Sequence, residues 1–103
     1  MTTTVPDSVT LFRAAVRGVR RCLEIFQEKP KYTDLLCNGF LTIVDGADAE
    51  NKLRQFRSCA KPLAKSVYLT AMLYALDHAK SEEEAELRVL ESVNRQLSPN
   101  SSS

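Results

Sequence analysis

LFRAAVRGVRRCLEIF, residues 11–26, is the stretch on which the fold turns. Phe12, Ala15, Val16, Val19, Cys22, Leu23 and Phe26 recur at steps of three and four, so a helix gathers them into one apolar stripe. Arg13, Arg17, Arg20 and Arg21 then fall together on the other side, with Arg13, Arg17 and Arg21 spaced four apart along one ridge. Asp7 or Ser8 precedes the stripe and can accept from the exposed amides of a first turn. The spacing predicts a first helix from there to about Glu28, stopped by Pro30, which has no amide hydrogen to continue the ladder. Gly18 interrupts the stripe at a cost of about 1 kcal/mol relative to alanine. It is either a tolerated glycine or a point where another backbone or a ligand comes close.

The same reasoning extends outward. Thr33 is a candidate cap for a second helix, with Leu36, Phe40, Ile43 and Val44 as its buried face. Asp45-Gly46 ends that helix, glycine supplying the left-handed conformation common there. Asp48 opens a third helix whose stripe is Leu53, Phe56, Ala60, Leu63, Val67, Ala71 and Tyr74. Pro62 lies inside that stripe and must kink or split the helix. VYLTAMLYAL, residues 67–76, is apolar nearly all round, the mark of a buried central element. Ser81 with Glu84 has the spacing of a capping box. A fourth helix follows, with Leu87, Leu90, Val93 and Leu97 facing inward until Ser98-Pro99. The expected architecture is all-α: an antiparallel bundle of about four helices over residues 7–97, the third kinked or split at Pro62, with loose tails at 1–6 and 98–103.

Composition sets bounds on function. A chain of 103 residues with 44% apolar content suits one domain with one modest core. The net charge is +1, too weak a field to imply nucleic acid. Its distribution is uneven: residues 1–65 hold 11 Lys/Arg against 7 Asp/Glu, and residues 66–103 hold 3 against 6. The two halves can pair across the bundle, or the front half can offer a basic binding face. Four neighbouring guanidinium groups need an anionic partner, whether the acidic last helix, a phosphate, a membrane surface or RNA. RNA binding would interleave aromatics with the arginines, and none lies between Arg13 and Arg21.

Catalytic chemistry is not expected. His78 is the single histidine, at the end of the third helix beside Asp77 and Lys80, where it can serve the unpaired carbonyls of the helix end. Cys22, Cys37 and Cys59 are widely spaced, with no C-x-x-C pair to hold zinc. They read as small hydrophobes of a reducing, intracellular compartment. Asp45-Gly46-Ala47-Asp48 lacks the oxygen ligands and terminal glutamate of a calcium loop. No metal or cofactor is expected. The opening residues have neither the basic nor the apolar region of a secretory signal. The longest apolar run, Val67–Leu76, is about half of what a bilayer span needs. Leu11–Arg21, rich in arginine and free of acids, has the pattern of a mitochondrial presequence, but a mature helix is the preferred reading.

The segment Leu11-Phe12-Arg13, followed by Arg17 and by Arg20-Arg21, resembles the opening helix of the LYR-motif family of small helical mitochondrial proteins. Leu11, Phe12 and Arg13 match the motif, and Arg17 its downstream arginine. The resemblance implies an assembly factor or accessory subunit in the mitochondrial matrix with mitochondrial acyl carrier protein as partner. It implies that the carrier's acyl chain enters the helical core while basic residues meet its phosphopantetheine and acidic surface. Asp45-Gly46-Ala47-Asp48 with Lys52-Leu53 loosely resembles a segment of the peroxin-11 family, which implies a membrane-surface protein instead.

The functional expectation is a non-catalytic helical adaptor that binds an acidic protein partner through Leu11, Phe12, Arg13, Arg17, Arg20 and Arg21. The alternative is a generic helical interaction domain or homo-oligomeric scaffold outside mitochondria, since the wide apolar surface of the third helix would also suit a homodimer.

Overall fold

The computed structural model describes residues 6–97, so both expected tails and the Ser98-Pro99 stop lie essentially outside it. Five α-helices follow one another: α1 (Ser8–Ile25), α2 (Pro30–Leu41), α3 (Ala49–Ala60), α4 (Val67–His78) and α5 (Glu82–Leu97), with a 3-10 turn at Thr42–Val44 after α2. No strand occurs among the described residues. The all-α expectation holds. The count rises from four helices to five because Pro62 splits the third helix instead of kinking it.

Local chemistry explains most boundaries. Asp7 caps α1, its Oδ1 accepting from the Thr10 amide at 2.8 Å, and this bond holds the Asp7 carboxyl below the usual carboxylate range. α1 ends earlier than Glu28. The Gln27 amide donates to the Glu24 carbonyl and the Glu28 amide to that of Leu23, the two bonds of a Schellman motif. Gln27 holds its left-handed position at φ 58°, where glycine is usual. Pro30 then opens α2 instead of merely closing α1. It occupies the first turn, where a missing amide hydrogen costs nothing. Thr33 is consequently not a cap. It is buried inside α2 and donates to the Lys29 carbonyl at 3.3 Å.

Gly46 takes φ +109°, as the Asp-Gly pair predicts. Asp48 stands at the cap position of α3 but makes no capping bond. After the Pro62 break, Ser66 restarts the chain as α4, its Oγ accepting from the Leu69 amide. Ser81 accepts from the Glu84 amide at 3.1 Å. The Glu84 carboxylate reaches one residue further back than a capping box requires and accepts from the Lys80 amide, which holds it below its ordinary range.

α1 is the central element, packing against all four other helices. The expectation that residues 67–76 form the most buried element is corrected. α4 buries Ala71, Met72, Leu73, Ala75 and Leu76, but Tyr74 faces outward, whereas α1 buries nine residues. α1, α4 and α5 pack on one another, α2 and α3 pack on α1 as well, and Arg57 and Lys61 at the end of α3 pair with Asp77 of α4. At Gly18 the contact between α1 and α5 is so close that a methyl there would lie 2.9 Å from Val89 Cβ and 3.0 Å from the Glu86 carbonyl oxygen. Leu63 at 71% exposure and Leu87 at 53% are the largest departures from the expected inward faces; Phe26, Tyr74 and Leu97 are also exposed.

Candidate functional site

The arginine ridge is assembled as its spacing predicts, but it is occupied from within the chain. Arg17 donates from Nη2 to Glu82 and from Nε to Glu86, both at 3.0 Å. Arg21 reaches the other oxygen of Glu86 at 3.1 Å. Glu86 therefore bridges two arginines one turn apart, and their hydrogen bonds, Arg17's first, hold its carboxyl below the ordinary range. Arg20 pairs with Asp34 of α2 at 3.1 Å. Arg13 donates to the Val44 carbonyl at 3.0 Å, closing the 3-10 turn. Of the two readings of the charge asymmetry, pairing between the halves accounts for Arg17 and Arg21. Exposed pairs of this kind contribute only about 0.2–1 kcal/mol each. Their main effect is to neutralise the surface that was expected to attract an acidic partner.

Leu11 and Phe12 are core residues, 5% and 0% exposed, and present nothing to a partner at the surface. Phe12 is the hub of an aromatic triad. Its ring meets Phe56 edge-to-face at 5.7 Å and Phe40 at 6.4 Å, and Phe40 meets Phe56 at 6.5 Å. Such pairs contribute about 0.5–1.5 kcal/mol beyond the area they bury.

Above this triad lies the feature that sequence reasoning missed: an apolar groove of about 350 Å³ between α2 and α3. Tyr32, Leu35, Leu36, Gly39 and Phe40 of α2 and Ile43 of the 3-10 turn line it, and α3 contributes Phe56. Leu35 is 75% exposed and Tyr32 45%. α2 spends only Thr33 and Cys37 on the interior, so its apolar content exceeds what α1 covers. The signal was present as the Leu35-Leu36 doublet, since adjacent helix positions lie about 100° apart and cannot share one narrow stripe. A separate cleft of about 460 Å³ between the start of α1 and α3 is lined by Asp7, Glu50, Arg54 and Arg57 among others. Its charges are of both signs, and Arg57 is already paired with Asp77.

The remaining reactive side chains have structural surroundings. Cys22 is buried and its thiol is pushed up to about 11 by desolvation. Cys37 is buried and raised in the same way. Both are therefore poor nucleophiles at neutral pH. Cys59 is exposed on α3. His78, in the last turn of α4, packs against Tyr74 with ring centres 4.4 Å apart and the rings tilted by 41°. Among the described residues no cluster of three or more His, Cys, Asp or Glu could hold a metal ion, and no helix is long and apolar enough to cross a membrane. The chain matches no protein-family model, no curated protein and no solved structure.

Proposed function

We propose that this protein is a non-catalytic helical adaptor that engages a protein partner through the groove between α2 and α3. The observation that carries the reading is the groove itself. It is an apolar hollow on α2 and the following 3-10 turn, bounded by Phe56 of α3, with Leu35 left three-quarters exposed beside it. Grooves of this form receive the apolar face of an amphipathic helix. The internal pairing of Arg17, Arg20 and Arg21 supports moving the binding surface away from the α1 ridge, where sequence alone put it.

A second, narrower reading is the LYR-like one, an assembly or accessory subunit in mitochondria that takes acyl carrier protein as partner. One observation favours it. Phe12 of the Leu11-Phe12-Arg13 motif packs directly on Phe40 and Phe56 of the groove, so an acyl chain entering the helical core would have an apolar mouth at the motif.

Leu35→Glu tests the adaptor reading, because so exposed a position tolerates substitution within about 0.5 kcal/mol. Proximity labelling in cells should recover one partner set with the wild type and with the control Leu63→Glu, and lose it with Leu35→Glu. Identical partner sets for all three proteins would overturn the groove as the binding site. Co-expression with mitochondrial acyl carrier protein, followed by intact mass spectrometry, tests the narrower reading. A stoichiometric acylated carrier supports it, and a carrier-free monodisperse protein removes it.

A further inference from the structure

We propose that residues 30–60, the helices α2 and α3 with the 3-10 turn between them, form an arm that opens off the rest of the fold as one unit while α1, α4 and α5 stay packed. This inference does not depend on the groove having a partner.

The packing divides the chain at this boundary. α1, α4 and α5 each pack on both of the others, a closed triangle of helices. α2 and α3 instead pack on α1 and on the 3-10 turn that they share. Burial follows the same line. Over residues 30–60 only Thr33, Cys37, Val44, Leu53 and Ala60 are buried, whereas α1 by itself buries nine residues. Segments with few buried contacts open at a lower free energy than the rest of a fold.

The ties that hold the arm can be released together. Phe40 and Phe56 meet Phe12 of α1 edge-to-face. Arg13 donates to the Val44 carbonyl, and Arg20 pairs with Asp34. At the far end Asp77 of α4 accepts from Arg57 and Lys61. The Asp34 side chain is 64% exposed and that of Lys61 56%, and ion pairs so open to water hold weakly. The contact of Phe40 with Phe56 lies inside the arm and survives its movement. Both ends offer a hinge. Gln27 takes its left-handed turn just before Pro30 begins α2, and residues 61–66, with Pro62, separate α3 from α4. Hinges are short segments of this kind between packed elements. Opening uncovers Phe12, which is fully buried in the closed form.

Native-state hydrogen exchange of the full chain, read amide by amide across low urea concentrations, tests the arm. Amides of α2 and α3 should converge on one opening. Its urea dependence should be smaller than that of α1, α4 and α5, because less surface is exposed. Val93→Ala removes buried side chain from α5, whose packing on α1 and α4 survives opening of the arm. It should speed exchange in α1, α4 and α5 about tenfold or more and leave α2 and α3 unchanged. Leu53→Val loosens buried packing of α3 that is lost in both openings. It should speed all five helices alike, about fivefold or more. Equal acceleration of all five helices by Val93→Ala would show a single cooperative unit and overturn the inference. Acceleration by Leu53→Val confined to α3, or different urea slopes for α2 and α3, would show that the two helices open separately and overturn it as well.

Discussion

Replacing Gly18 by alanine sets two effects of known sign against each other. In an isolated helix the change is favourable by about 1 kcal/mol. In this fold the new methyl would lie 2.9 Å from Val89 Cβ, 3.0 Å from the Glu86 carbonyl oxygen and 3.1 Å from Val89 Cγ1. Carbon atoms attract best at about 3.5–4.0 Å, so the groups must separate by roughly half an ångström or more. Two of the three obstacles are main-chain or Cβ atoms, which no rotamer change can move. α1 and α5 must part as whole helices along their shared interface. Overpacking of this kind costs about 1–3 kcal/mol, and the backbone obstacles put it toward the upper end. The expected net loss is about 1–2 kcal/mol. At about 4–8 °C per kcal/mol for a chain of this size, Tm should fall by roughly 5–15 °C. Urea titration followed by circular dichroism measures the loss directly, with an unchanged m-value showing that the transition keeps its character. Adding Val89→Ala should recover only part of it, because Val89 Cβ and the Glu86 carbonyl remain. Gly39→Ala is the internal control: with open space around it, the same substitution should stabilise by up to about 1 kcal/mol. If Gly18→Ala proved as stable as wild type, the account of α1 and α5 as helices in near-backbone contact would be wrong.

Other predictions follow from single interactions. Gln27→Gly should stabilise the fold by roughly 0.5–1 kcal/mol in the same urea titration, since it relieves about 1–2 kcal/mol of left-handed strain against a greater loss of chain entropy; a destabilised variant would contradict the Schellman geometry. Glu86 has a depressed folded pKa, so its contribution is present above the unfolded carboxylate value and is lost as pH falls through the folded one. Stability should hold above about pH 5 and decline below about pH 4.3, with a shallower acid slope in Glu86→Gln; equal slopes would show that the bridge to Arg17 and Arg21 does not form in solution. Of the three thiols, Cys59 should react with a disulfide reagent at once, and Cys22 and Cys37 only as fast as the structure opens around them. Rapid labelling of Cys22 in native protein would conflict with its burial.

Local chemistry was readable from sequence because it depends on few neighbours. The apolar stripe of α1, the Asp7 and Ser81 caps, the left-handed Gly46 and the break at Pro62 each follow from residues within one or two turns. Where reading failed, the outcome depended on a choice between local options that distant packing settles. Pro30 could end α1 or begin α2, and the Schellman turn at Gln27 released it to begin α2. The stripe through Leu63 looked continuous only while Pro62 was allowed to kink. Once the helix split, Leu63 fell in the turn and faced solvent.

The candidate site divides in the same way. Four-residue spacing by itself determined that Arg13, Arg17 and Arg21 share a ridge and that the back of the chain carries the opposite charge. Which partner neutralises that ridge was decided only when α5 packed on α1 and brought Glu82 and Glu86, more than sixty residues away in sequence, within 3.1 Å. The groove is likewise a tertiary feature. Periodicity identifies the apolar side chains of α2 and α3, but only the fold decides which of them α1 covers. α1 packs on α4 and α5 as well as on α2 and α3, and of α2 only Thr33 and Cys37 are buried, so Leu35 and Gly39 remain on the outside.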